Sequence, residues 1–352
     1  MLISRYINKY SVTMALALAV TGSFAGNPDR AGSNGGVQLL INPWAKSSGM
    51  ANASGAVSIT GAEAIFTNVA GLAATRKTEL IFNQSNYLVG SGISLSAFGF
   101  SQKVGESGVI GVSVNTMNFG EVEITTTANP DGGLGTYRLN YSNIGVSYAK
   151  AFSNSISGGI TFRLISERTA SVGLQGAAFD AGIRYVTGKR ENVRFGIALK
   201  NLGPAIFYKG EGLAQEVILD GNPYTLNQRA DKYELPSQLN IGFAYDFLFG
   251  ETFKLGANAN YQSNSFTKDQ YMLGVELNLR DRVAIRGGYM IEESGKRSQY
   301  NSGITNAWTG IAGGVSLMLP VNKDGGQFSV DYSYRPTNPF NGIHTVGARI
   351  NL

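Results

Sequence analysis

The chain has 352 residues and a formal net charge of +5; 43% of it is hydrophobic and only 15% is charged, with 46 Gly, 17 Tyr, 18 Phe, 9 Pro, one His and no Cys. The absence of Cys excludes disulfides, thiolate metal sites and a lipid-modified cysteine. The low charge, set against the usual fraction of about a quarter, and the apolar content exclude a disordered chain, and the scattered basic residues leave no nucleic-acid footprint.

The N-terminus reads as an export signal. Arg5 and Lys9 precede the apolar stretch Val12 to Val20, and Ser23-Phe24-Ala25 places small residues where a signal peptidase reads. The apolar part is too short to span a bilayer comfortably. Residues 1–25 are therefore expected to be removed, with the mature chain starting at Gly26.

Residues 26–35 are rich in Gly, Asn, Asp and Ser, the composition of a mobile start. Residues 36–77 do not alternate. They run from Gly36 to Trp44, then through small residues to Gly61, then from Ala62 to Leu72. Small residues permit close packing in a confined space, so 26–77 is expected to form an N-terminal extension and plug, with one short helix near 61–67.

From Leu80 onward the chain repeats one device: apolar residues alternate with small or polar ones, and then a turn follows. Strands are expected near 78–87, 93–103, 108–118, 140–152, 156–168, 176–187, 193–202, 237–248, 252–262, 270–280, 283–291, 307–319, 327–335 and 343–352. The eighth shows the pattern, with Leu239, Ile241, Phe243, Tyr245 and Phe247 against Asn240, Gly242, Ala244 and Asp246. Such alternation sets one face against hydrocarbon and the other against a polar interior. Connections after odd-numbered strands are often long (119–139, 203–236, 263–269, 292–306), whereas those after even-numbered strands are tight (104–107, 153–155, 188–192, 249–251, 281–282). Membrane barrels sort their loops in this way and in bacteria have an even strand count. The expected fold is all-β: a fourteen-stranded antiparallel transmembrane β-barrel over 78–352 in the outer membrane of a diderm bacterium, with both termini periplasmic and the long loops outside. The last strand, His344 to Leu352, resembles the C-terminal signal read by barrel-assembly machinery, although Leu352 stands where an aromatic is usual.

Little in the chain points to catalysis, and no enzyme activity or cofactor is expected. His344 is the only histidine and falls on the apolar face of the last strand. A lipid hydrolase would need a serine and an acid converging on it. Asn129-Pro-Asp-Gly-Gly133 and Asn322-Lys-Asp-Gly-Gly326 lack the spacing and closing Glu of calcium loops and read as turns. Arg163, Asp180, Arg184, Lys200, Asp246, Lys254, Glu276, Arg280, Arg286, Asp331, Arg335 and Arg349 are expected on the small or polar, lumen-facing side. They suit either a selective aqueous channel or, the favoured reading, cross-strand bracing that holds the plug. The loop 203–236 carries Phe207, Tyr208, Leu213, Val217, Ile218, Leu219 and Tyr224, apolar content that suggests a lid or a partner-binding surface.

Leu39-Leu-Ile-Asn-Pro-Trp-Ala-Lys-Ser-Ser-Gly-Met50 resembles the N-terminal segment of the PorV/PorQ family. Asn68-Val-Ala-Gly-Leu-Ala73 is similar to that family's Asn-Pro-Ala-Gly-Leu-Ala hatch motif, shared with FadL-type transporters. Here Asn68, Ala70, Gly71 and Leu72 match, and Val69 replaces the Pro. Lys200–Pro204, Leu235–Gly242, Gly274–Glu276, Ile285–Tyr289 and Val330–Tyr334 add weaker matches in family order. The resemblance implies a FadL-like barrel of Bacteroidota. Its leading functional implication is a component of the type IX secretion system that binds the translocon, cargo signal domains and the attachment complex through its outer loops. The alternative is a FadL-like passive transporter of hydrophobic small molecules. The expected partners are thus the lipid bilayer and other proteins, with no nucleic acid.

Overall fold

The computed structural model describes residues 26–250, 252–292, 306–321, 325–337 and 340–352. The expected signal peptide and most of the 292–306 connection lie outside the described residues. Alternation produces seventeen strands: β1 (Thr78–Tyr87), β2 (Ile93–Val104), β3 (Gly108–Glu123), β4 (Thr136–Ala151), β5 (Ile156–Thr169), β6 (Val172–Thr187), β7 (Val193–Leu202), β8 (Tyr208–Lys209), β9 (Ala214–Leu219), β10 (Asn222–Asn227), β11 (Gln238–Phe249), β12 (Phe253–Asn264), β13 (Gln270–Leu279), β14 (Val283–Glu292), β15 (Gly310–Pro320), β16 (Gln327–Arg335) and β17 (Ile343–Asn351). The ring consists of β1–β7 and β11–β17, each strand antiparallel to its neighbours. It closes where β1 pairs with β17, from Glu79↔Asn351 to Asn86↔His344. Two-residue β8 extends β6, and β9 and β10 form a separate hairpin.

The burial pattern is the reverse of a soluble sandwich. On β11, Gln238, Asn240, Gly242, Ala244 and Asp246 are buried, while Ile241, Phe243 and Phe247 are exposed. Around the ring the outer face carries Phe82, Phe98, Val146, Ile160, Ile183, Ile197, Val275, Ile311 and Val346, all exposed. A continuous apolar belt is stable only against hydrocarbon, and a closed sheet leaves no unpaired edge there. Among the described residues no helix is long and apolar enough to cross a membrane; crossing by strands is a separate matter.

The expected strands fall where the alternation put them, but β3–β6 reach further toward the end with the long loops. The 119–139 connection shrinks to 124–135, and β6 begins at Val172 rather than near 176. A register shift between Asn118 and Glu121, with Gly120 at φ 80°, interrupts the period of two, so the strand's continuation does not show as alternation. The N-terminal segment contains a four-residue helix, α1 (Ala45–Ser48), and 3₁₀ turns at Gly61–Ile65 and Val69–Ala74. Only the turn at 61–65 matches the one helix expected. The other two are capped locally: the Asn42 side chain accepts from the Trp44 N–H, and the Asn68 side chain accepts from the Ala70 N–H.

Candidate functional site

Residues 36–77 run inside the ring and touch its wall on all sides. The Ala45 N–H donates to Asn83 Oδ1 of β1 at 3.2 Å, and Thr75 Oγ1 lies 3.0 Å from Ser101 Oγ of β2. Arg163 of β5 donates to the Ile65 carbonyl at 2.6 Å, and Arg184 of β6 donates to the Val57 carbonyl at 2.8 Å. Ser58 Oγ donates to Asn258 Oδ1 of β12 at 2.5 Å. Between these contacts the wall offers glycine. A Cβ on Gly196 would lie 2.0 Å from the Ala56 carbonyl oxygen, and one on Gly288 would lie 2.3 Å from the Met50 carbonyl carbon. The small residues of the inner face are therefore a seat shaped to the backbone of this segment.

The matched hatch residues are buried within it. Asn68 Oδ1 accepts from the Ala70 N–H at 3.1 Å, while its amide donates to the Ala56 carbonyl at 2.7 Å and to the Ile183 carbonyl of β6 at 3.2 Å. Leu72 packs with Ile65 and Val69 against Val109 and Ala149, with Ala70 fully buried beside them. A Cβ on Gly71 would lie 2.3 Å from the Ile59 carbonyl oxygen. Val69 fills the position of the missing Pro by contact with the wall at Gly159.

Most of the lumen-facing charges are paired, whereas Arg184 and Arg335 meet carbonyls and Lys200 an aromatic ring. Arg163 meets Asp180 at 2.6 Å, and Asp180 also accepts from the Asn201 N–H at 2.7 Å. Asp246 takes both Arg194, at 2.5 Å, and Lys254, at 2.8 Å. Arg286 pairs with Glu276 and donates to Ser316 Oγ at 2.6 Å, and Ser316 in turn donates to Asp331. Arg349 pairs with Glu63 of the N-terminal segment and lies 3.5 Å from Glu79. Glu63 also accepts from the Ser47 N–H at 2.8 Å, so one buried carboxylate ties α1, the 61–65 turn and the last strand together. The Lys200 ammonium sits 4.1 Å over the Phe66 ring, and Arg335 donates to the Trp308 carbonyl at 2.6 Å. Arg280 departs from expectation. It is exposed in the β13–β14 turn at φ 52°, because the strand ends one residue before it, although it lines a cavity of about 520 Å³ at that mouth. Glu63 was not anticipated from the sequence, yet it is the single carboxylate between residues 36 and 77, and that isolation was the available signal.

Away from these pairs, the inner faces of β11–β13 carry amides. Asn260 Nδ2 donates to Asn240 Oδ1 at 3.0 Å. Asn264 Oδ1 accepts from Gln238 at 2.9 Å and from Gln262 at 3.0 Å, and Gln262 also donates to Gln270 Oε1 at 3.0 Å. Beside this ladder, at the long-loop mouth, lies a cavity of about 360 Å³. Across the mouth from it, Leu39 packs into an apolar cluster with Leu95, Met117, Ile165, Leu174, Ile206 and Leu235.

The 203–236 connection does two different things. Its ends fold inward, with Ile206 and Leu235 buried, whereas its middle forms the β9–β10 hairpin, where Ile218, Leu219 and Tyr224 are exposed. Leu213 and Val217 are half-buried and Phe207 is at the edge of exposure. Tyr208 is held down on the wall: its hydroxyl donates to Glu167 Oε1 at 2.9 Å, and burial together with that carboxylate pushes the phenol up to about 12.

His344 lies on the outer face of β17 and stacks 4.7 Å from Tyr334; its Nδ1 is 2.8 Å from the Tyr332 hydroxyl. An aromatic girdle accounts for it. Among the described residues no group of three His, Asp or Glu is placed to hold a metal.

A closed barrel of fourteen strands with an apolar belt and an occupied lumen defines the architecture. No family model and no curated protein matches the sequence, so the likeness lies in structure. The toluene transporter TodX of Pseudomonas putida superposes with a TM-score of 0.54 at 11% identity, covering 88% of this chain and 97% of that one. The toluene transporter TbuX of Ralstonia pickettii gives 0.51 at 14%, covering 88% and 97%. A Pseudomonas aeruginosa FadL homologue gives 0.51 at 12%, covering 87% and 96%. The chain therefore has a FadL-like fold; its resemblance to the PorV/PorQ family rests on the sequence motifs alone.

Proposed function

We propose that this chain is an outer-membrane channel that passively admits small, largely hydrophobic molecules, with residues 36–77 as its plug and gate. In this reading the termini face the periplasm and the long loops face outward. The observation that carries it is the apolar cluster that Leu39 of the plug forms with Leu95, Met117, Ile165, Leu174 and Ile206 at the long-loop mouth. An apolar entrance is what a hydrophobic cargo requires. The FadL-like fold, shared with transporters whose cargo is toluene, supports the same reading and moves it ahead of the secretion role. The test is toluene entry into cells whose lipopolysaccharide-rich outer leaflet is intact. Deleting the chain should slow entry and re-expression should restore it; equal entry with and without the protein removes the proposal.

One observation keeps a second reading in play. The β9–β10 hairpin exposes Ile218, Leu219 and Tyr224 together, a surface suited to a protein partner such as type IX cargo or its translocon. Crosslinking from native membranes tests it, and recovery of neither partner removes it.

A further inference from the structure

The 360 Å³ cavity at the long-loop mouth has two kinds of lining. Leu40 of the N-terminal segment, Met290 of β14 and Trp308 present apolar surface, and Gln238, Gln262 and Gln270 present carboxamides. The tryptophan is fixed from behind. Its carbonyl takes both Arg335 donors, at 2.6 and 3.0 Å, and its N–H donates to Asn306 Oδ1 at 2.8 Å.

The carboxamides are also fixed, and they are incompletely used. Asn264 Oδ1 collects the amides of Gln238 and Gln262, Gln270 Oε1 accepts from Gln262, and the Asn264 amide donates to the Lys268 carbonyl at 2.8 Å. This leaves Gln238 Oε1, Gln262 Oε1 and Gln270 Nε2 with no partner among the described residues. Gln238 and Gln270 are nearly inaccessible to bulk solvent, so these atoms face the cavity or nothing. A preset array of two acceptors and one donor beside a flat indole is costly to cover with hydrocarbon, because dehydrated amides need replacement partners. A ring with an apolar face and hydroxyls at its edge supplies those partners and uses the indole as well. Among the described residues Lys268 is the only charged one on the lining, which does not make an ion site.

We infer that this cavity is a selectivity site for a neutral hydroxylated ring compound, and that bare hydrocarbons are not its preferred occupants. The inference rests on the channel reading for its place in transport, but its chemistry stands on the cavity alone. Both hydroxylated aromatics and saccharides present this chemistry, and binding distinguishes them.

The experiment is titration calorimetry of the full-length protein in detergent, against a protein-free micelle blank, with resorcinol, methyl β-glucoside, toluene and benzoate as probes. At least one hydroxylated probe should bind about tenfold or more tighter than toluene, as expected for a site built to hydrogen-bond a hydroxyl. Which of the two wins identifies the source. The Gln262→Leu/Gln270→Leu variant should lose most of that preference and keep its toluene binding, with the heat-modifiable gel mobility of the folded barrel unchanged. If the double variant does not fold, Gln262→Leu alone and the comparison among probes on the parent remain decisive. Toluene or benzoate binding as tightly as the better hydroxylated probe, a folded variant with parental binding, or no binding of any probe overturns the site. Selective binding without any contribution to toluene entry in cells removes the channel reading and leaves the site standing.

Discussion

The two sides of the lumen solve the same problem differently. At β17 the wall meets the N-terminal segment with charge, Arg349 against Glu63, beside the wall's own pairs Arg349–Glu79 and Arg286–Glu276. Around β11–β13 it meets the cavity with carboxamides. A buried charge left unpaired costs several kcal/mol, so the Glu63–Arg349 pair acts as a clamp. An amide left open costs far less, so the other side can afford a cavity with free hydrogen-bonding atoms. The charged anchor of the N-terminal segment and the amide-lined cavity thus adjoin along the wall, where β14 pairs with β13.

This contrast can be broken most sharply at Glu63. Glu63→Ala removes the hydrogen-bonded partner of Arg349, leaving Glu79 at 3.5 Å, and frees the Ser47 N–H. We expect a loss of about 3 kcal/mol in urea unfolding from lipid vesicles, the lower end of the cost of breaking a buried ion pair because Glu79 remains. A loss under half of that would mean that the clamp is ornamental. Next is the steric seat on the β7 side: Gly196→Val drives a side chain into the Ala56 carbonyl. Overpacking of this kind costs about 1–3 kcal/mol, and it should also raise protease sensitivity within residues 36–77. A third test is Asn68→Ala, which removes the cap of the 69–74 turn and two donations to carbonyls. A loss of about 1–2 kcal/mol in the same unfolding assay is expected. The smallest effect belongs to the amide wall. Gln262→Leu removes neutral hydrogen bonds and should cost about 1 kcal/mol or less, because such bonds contribute little net stability. A cost matching that of Glu63→Ala would erase the distinction between the two walls.

The hatch motif shows how far motif reading reaches. Asn68, Ala70, Gly71 and Leu72 are buried and closely packed, yet nothing in the string Asn-Val-Ala-Gly-Leu-Ala says that the Asn68 amide would reach Ile183 on β6. The 203–236 loop teaches the opposite lesson. Its apolar composition was visible, but composition did not separate Ile206 and Leu235, which fold into the mouth, from Ile218 and Leu219, which do not. An alternation extended one residue past the end of β13 puts Arg280 on the lumen face, whereas the chain has already entered the turn there.

What the sequence determined by itself is the wall. A period of two is a local property of consecutive residues, so the number of wall strands and the assignment of faces follow from it, and even the closing pair of β1 with β17 follows from the count. Tertiary structure alone decided the interior. The seat of residues 36–77, the Glu63–Arg349 clamp and the partly satisfied carboxamides beside Trp308 all join positions distant in the chain. Their energies come from desolvation and close contact, which no local periodicity encodes.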